Sequence, residues 1–201
     1  MEIPLKKIMK LKFIILLLVL QTAWLLGMVV TQEYALAHGK AILLETRPVD
    51  PRDLLSGDYL MLRYKISDVP TNLFSPPVKR DLPYGTIIFV ALAPGTNEFY
   101  TVTRASTNNL APSSDSEVVL SGKSTYAWWN TTNAIHIEYG IERYYVAEGT
   151  GNPPVLRSST AEGGHGKLTA RVVVPASGRA NLQQVFLDGK PYEQAMKDSA
   201  Q

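Results

Sequence analysis

Apolar and polar positions divide the 201-residue chain into one long uninterrupted apolar run followed by a series of short alternating ones. Phe13 to Val30 (FIILLLVLQTAWLLGMVV) carries no charged side chain and follows Lys6, Lys7, Lys10 and Lys12. At about 1.5 Å of rise per residue, such a helix comes close to crossing a hydrocarbon core of about 30 Å. A run apolar all round, with basic residues on one flank only, predicts a membrane-crossing helix and not the buried helix of a soluble protein.

The remainder reads as strands. Lys40 to Thr46 is a first strand, stopped at Arg47-Pro48 because the residue before proline is extended and proline cannot donate to a ladder. From Asp58 the residues alternate: Leu60, Leu62, Tyr64 and Ile66 share one face, Tyr59, Met61, Arg63 and Lys65 the other. Residues 67 to 85 hold Pro70, Pro76, Pro77, Pro83 and Gly85 and are expected to be loop. Thr86 to Leu92 is apolar on both faces, as in a strand inside a sheet, and Pro94 to Asn97 predicts a hairpin returning through Glu98 to Arg104. After a Ser/Asn/Pro-rich loop, Glu117 to Ser121 is expected as a strand with a turn at Gly122. Thr125 to Asn130 holds Tyr126, Trp128 and Trp129, and Ala134 to Tyr139 alternates again. Residues 150 to 166 read as a long loop, followed by a last pair of strands, Lys167 to Val174 and Ala180 to Leu187, and a short terminal helix within Gln183 to Lys197. Short strands with frequent turns predict an all-β domain, a sandwich or partly open barrel, preceded by one N-terminal transmembrane or signal-anchor helix.

The expected organisation is therefore residues 1–37 as basic tip and anchor and 38–201 as the β domain. The lysines predict a cytoplasmic N-terminus and an extracytoplasmic domain, a single-pass protein of the cell membrane. Ala35-Leu36-Ala37 has the form of a signal-peptidase site, and cleavage after Ala37 would yield a secreted or periplasmic domain. The apolar run exceeds the 7 to 15 residues typical of a signal-peptide core, which favours a retained anchor. The first 37 residues hold four lysines and two acids, Glu2 and Glu33, so sixteen basic and sixteen acidic residues remain beyond them. The domain is formally neutral and carries no nucleic-acid footprint. Without cysteine there is neither a disulfide framework nor thiolate chemistry.

Two runs stand apart from ordinary strand sequence. Pro48 to Tyr64 sets Asp50, Arg52, Asp53, Gly57 and Asp58 in a broken turn before Tyr59, Leu62 and Tyr64; Tyr139 to Gly151 reads YGIERYYVAEGTG, with Glu142, Arg143 and Glu148. Gly57-Asp58, Tyr59, Leu62 and Tyr64 resemble the signature of the GDYXXLXY family of bacterial membrane-anchored proteins, and Tyr139-Gly140-Ile141-Glu142-Arg143 with its aromatics and Glu148-Gly149 resembles the same family. That family has no established activity. Its anchored organisation implies a non-enzymatic accessory or binding module working with an integral membrane partner.

Read as chemistry, Gly57-Asp58 is explained by turn geometry, Leu62 and Tyr64 belong to a core, and Tyr59, Met61 and Arg63 suit a partner surface or packing under the second run. If the two runs converge, Asp58, Glu142 and Glu148 could act as paired carboxylates in an envelope hydrolase; the alternative is an arginine–carboxylate network that fixes turns. His38, His136 and His165 lack metal-ligand spacing, so neither a metal nor another cofactor is expected. Gly122-Lys123-Ser124 resembles the end of a phosphate loop, but Glu117 stands where that loop needs glycine. A partial resemblance of Pro51 to Asp58 to the Ser/Lys signal-peptidase-like fold lacks the nucleophile, since Val49-Asp50 stand where its serine would be.

Overall fold

The computed structural model describes residues 5–47, 59–78, 82–125, 133–146 and 167–199. By its internal contacts the chain falls into two units, Met1–His38 and Gly39–Gln201.

The first unit is one helix, α1, Leu5–His38. Its segment Lys12–His38 is long and apolar enough to cross a membrane, and none of its most apolar stretch is buried within the structure. Its two threonine hydroxyls are satisfied along the helix itself. Thr22 Oγ1 donates to the Leu18 carbonyl (2.9 Å) and Thr31 Oγ1 to that of Met28 (2.8 Å), so neither hydroxyl needs water. At the C-terminal end Tyr34 stacks on His38 with ring centroids 4.0 Å apart.

The second unit contains three antiparallel sheets and no closed barrel among the described residues. Its strands are Lys40–Arg47 (β1), Tyr59–Met61 (β2), Arg63–Tyr64 (β3), Asp68–Pro70 (β4), Ile87–Pro94 (β5), Tyr100–Ser106 (β6), Val118–Thr125 (β7), Ala134–Glu138 (β8), Arg143–Tyr145 (β9), Leu168–Val174 (β10), Asn181–Leu187 (β11) and Lys190–Pro191 (β12). The short helix Tyr192–Ser199 (α2) follows. One five-stranded sheet runs β12-β11-β10-β1-β3, the other β4-β8-β7-β5-β6, and β2 and β9 form a two-stranded ribbon. Period-2 alternation sends Ile42 and Leu44 of β1, Val172 and Val174 of β10, Val90 and Leu92 of β5 and Leu120 of β7 into a single shared core. The tight Asp188-Gly189 corner between β11 and β12 has both residues at positive φ (51° and 81°), the requirement of a two-residue hairpin of this hand.

Three expectations are corrected. The proline-rich stretch after Ser67 is not all loop, because Asp68–Pro70 pairs with β8 as an edge strand whose terminal proline ends the ladder. Gly122 is not a turn but lies inside β7. A Cβ there would come within 2.4 Å of Ile137 Cγ2 and 2.8 Å of the Glu138 carbonyl oxygen, so glycine serves close packing. The alternating strand from Asp58 is divided at Leu62, because β2 pairs with β9 whereas β3 pairs with β1. Its alternation survives the change of partner, and Leu60, Leu62, Tyr64 and Ile66 are all buried.

The loop between β6 and β7 is held by one carboxylate. Buried Glu117 accepts hydrogen bonds from Arg104 Nη2 (2.8 Å) and Nε (3.3 Å), Thr103 Oγ1 (3.0 Å) and the Ser113 amide (2.5 Å). The Arg104 guanidinium, with help from the Ser113 amide and Thr103 hydroxyl and against the opposing effect of burial, holds this carboxyl down to about 2.

Candidate functional site

The two distinctive runs meet as the β2–β9 ribbon. Tyr59 faces Tyr145, Leu60 faces Tyr144 and Met61 faces Arg143, and the Leu62 amide extends the pairing by donating to the Glu142 carbonyl at 2.7 Å. Alternation gives the ribbon two unlike sides. Leu60 is buried and Tyr144 packs edge-on against Tyr192 of α2, with centroids 6.3 Å apart. Tyr59, Met61, Arg143 and Tyr145 occupy the outer side, where Met61 is 43% and Tyr145 69% exposed. The Arg143 guanidinium carbon lies 5.6 Å from the centre of the Tyr59 ring, and that ring is 6.1 Å from Tyr145.

Two buried tyrosines lock the runs together from beneath. Tyr64 Oη donates to the Ile141 carbonyl at 2.7 Å, and Tyr139 Oη donates to the Ile66 carbonyl at 2.8 Å. Tyr64 of the first run thus bonds the backbone of the second, and Tyr139 of the second bonds the backbone at Ile66, two residues past the first. Burial, reinforced by the nearby Glu142 charge, pushes both phenols far above their ordinary range, and they remain neutral donors. Glu142 caps the turn that reverses the chain between β8 and β9. Its two oxygens accept the amides of Tyr139 (2.5 Å) and Gly140 (2.8 Å), and Gly140 takes the positive φ, 81°, that this turn requires. Glu142, expected in an arginine network or a carboxylate pair, accepts these two backbone amides, while most of the other expected members of that network lie outside the described residues.

Beside the ribbon opens a cleft of about 410 Å³, lined by Met61, Leu62 and Arg63 from the first run, Gly140, Glu142, Arg143 and Tyr145 from the second, and Ser67, His136 and Glu138 between them. His136, only 9% exposed, is tied through Nδ1 to Asp68 Oδ1 at 2.7 Å, joining β8 to the edge strand β4. This pair was invisible in the sequence, because its members are 68 residues apart and neither belongs to a recognisable motif. Among the described residues no group of three His, Cys, Asp or Glu is placed to hold a metal ion.

Of the residues singled out by sequence, Tyr59 and Arg143 come together on the outer face, while Leu62, Tyr64 and Glu142 build its support. Asp50, Arg52, Asp53, Gly57, Asp58 and Glu148, with the aromatic run Tyr126, Trp128 and Trp129, lie outside the described residues. The model of the family described as GDYXXLXY protein matches residues 21–185, which include the second half of α1 and nearly all of the β domain. The chain belongs to the GDYXXLXY family. No curated protein and no solved structure matches it. Membership in the GDYXXLXY family gives the buried tyrosines and the ribbon a common context: among the described residues of the signature that names the family, Leu62 and Tyr64 lie in the core of the junction and Tyr59 on its outer face.

Proposed function

We propose that this GDYXXLXY protein is a membrane-anchored, extracytoplasmic accessory module that binds an integral membrane partner through the outer face of the β2–β9 ribbon and performs no catalysis itself. In this reading α1 is a retained single-pass anchor with its N-terminus in the cytoplasm. The observation that carries the proposal is the pairing of the two distinctive runs into a ribbon with one face in the core and Tyr59, Met61, Arg143 and Tyr145 on the other. Tyrosine, methionine and arginine are the residues enriched in protein interfaces, where they bring large contact areas at small conformational cost. The hydrolase reading asks Glu142 to exchange protons, yet both of its oxygens already accept backbone amides.

The test is co-purification from membranes solubilised in an uncharged detergent, comparing the natural chain with a Met61→Asp, Tyr145→Asp variant whose thermal midpoint matches it. One defined membrane protein in stoichiometric amount with the natural chain, and absent with the variant, is the expected result. Retention by both chains, or by neither, would remove the ribbon face as the binding surface.

A further inference from the structure

A polar side chain in the membrane-crossing part of α1 needs a partner, because lipid offers neither donor nor acceptor. Thr22 and Thr31 find theirs within the helix, on the Leu18 and Met28 carbonyls. Gln21 does not: it is exposed, and among the described residues its carboxamide has no hydrogen-bond partner. It stands eight residues after Phe13 and nine before Val30, in the middle of the uncharged run. At about 1.5 Å of rise per residue that is about 12 to 14 Å from either end, too deep for a glutamine side chain to reach water. A carboxamide carries two N–H donors and an oxygen with two lone pairs, so what completes it is a donor and acceptor on another helix at the same depth.

Two features of the chain identify that helix. A carboxamide is complementary to itself, and two copies related by a two-fold axis satisfy each other with reciprocal bonds. Copies inserted with the same orientation, lysines in the cytoplasm, carry Gln21 at the same depth, so the register matches without adjustment. The second feature is the face. The helix has two glutamines, Gln21 and Gln32, eleven residues and so about three turns apart on one side. Exposed Ile14, Leu18, Leu25 and Met28 join them at alternating steps of four and three residues, the repeat by which two helices pack side by side. In a helix apolar all round, the glutamines are what single out this face. The sixteen basic and sixteen acidic residues beyond the first 37 leave no net charge on the domain to oppose pairing.

We infer that α1 pairs with α1 of a second copy of this chain as a parallel dimer in the membrane, the two Gln21 carboxamides hydrogen-bonded to each other where the helices meet. The pairing rests on the retained anchor proposed above and is independent of the ribbon's partner. It is tested on the full chain carrying Thr96→Cys, labelled in separate batches with donor and acceptor dyes and reconstituted together in phosphatidylcholine vesicles. Energy transfer that rises with the protein-to-lipid ratio and is competed away by unlabelled chain is expected. Gln21→Leu, which inserts in lipid more readily than the natural residue, is expected to weaken the association roughly three- to thirtyfold, the range for hydrogen bonds between membrane helices. Gln21→Asn should restore most of it, and Thr22→Val, whose hydroxyl is bonded within its own helix, should leave it unchanged. In native membranes, oxidation should join Met28→Cys into a product of twice the chain's mass, whereas Val30→Cys, on the opposite side of the helix, should stay single. Absence of energy transfer, equal transfer by Gln21→Leu and the natural chain, or equal joining of Met28→Cys and Val30→Cys would each overturn the pairing while leaving the anchor intact. A Met28→Cys product of another mass would assign the face to the helix of a different membrane protein and overturn it likewise. A purified chain short of its first 37 residues, read from its mass, would overturn the anchor and the pairing together.

Discussion

At the scale of single residues, the junction between the two runs depends on polar atoms inside an apolar core. Tyr64 and Tyr139 each bring a phenol to a buried carbonyl, and the two bonds tie the strand that continues from the first run through Ile66 to the second run. Removing one hydroxyl leaves the shape of the core almost unchanged but strands a carbonyl, a desolvation penalty of about 1 to 3 kcal/mol. Tyr64→Phe and Tyr139→Phe are therefore each expected to lower the stability of the β domain by about that amount, read as a shift in urea midpoint at unchanged slope. An exposed tyrosine offers the contrast: Tyr145→Phe should change the midpoint by no more than about 0.5 kcal/mol equivalent, as for most surface substitutions. If Tyr64→Phe behaved like Tyr145→Phe, the phenol–carbonyl bond would not be what joins the runs.

At the scale of elements, the β6–β7 loop shows how one side chain can order a dozen or so residues that have no ladder of their own. Glu117 gathers Arg104, Thr103 and the Ser113 amide, while Arg104 also donates to the Ala111 carbonyl at 2.7 Å. Its carboxyl sits near 2 when folded and near 4.5 when not. The folded state thus favours the ionised form, so the contribution is fully present above about pH 4.5 and is lost as pH falls through about 2. A depression of this size is worth on the order of 2 to 3 kcal/mol at neutral pH. The urea midpoint should decline across that window, and Glu117→Gln, already weakened at pH 7, should decline less steeply; equal slopes for the two chains would refute the clamp. Much at this scale was legible beforehand. Alternation at Leu60, Leu62, Tyr64 and Ile66, the Pro94–Asn97 hairpin and the β10–β11 pair follow from local pattern alone. What local pattern lacked was long-range pairing: it could not tell that Gly122 lies beneath Ile137, that Asp68 meets His136, or that the strand from Asp58 changes partners at Leu62. The same limit applies to the site, where Tyr59 and Arg143 stood out but the cleft wall at Ser67, His136 and Glu138 did not. A glycine chosen for close approach reads like a glycine chosen for a turn until its neighbour across the sheet is known.

For the whole molecule, the informative contrast is between an apolar helix and a domain of balanced charge, joined by the single residue Gly39 between α1 and β1. The 27 residues Lys12–His38 span about 40 Å as a helix, more than the hydrocarbon thickness of about 30 Å, and Tyr34 and His38 lie at the end where an interfacial pair would be placed. Lysines at 6, 7, 10 and 12, before the apolar run, favour retention of that end in the cytoplasm. Because the natural chain has no cysteine, one introduced thiol reports topology without background. Thr96→Cys, in the exposed β5–β6 corner, is expected to react with a membrane-impermeant maleimide in intact spheroplasts, whereas Ile3→Cys should react only after lysis. The labelled protein should keep the full 22.2 kDa. Protection of Thr96→Cys until lysis would reverse the orientation. A product shortened by the first 37 residues, with no reaction at Ile3→Cys even after lysis, would show that the helix is a signal peptide; the membrane partner proposed for the ribbon would then have to be bound without a tether, and the intrinsic affinity required would rise by the lost effective concentration.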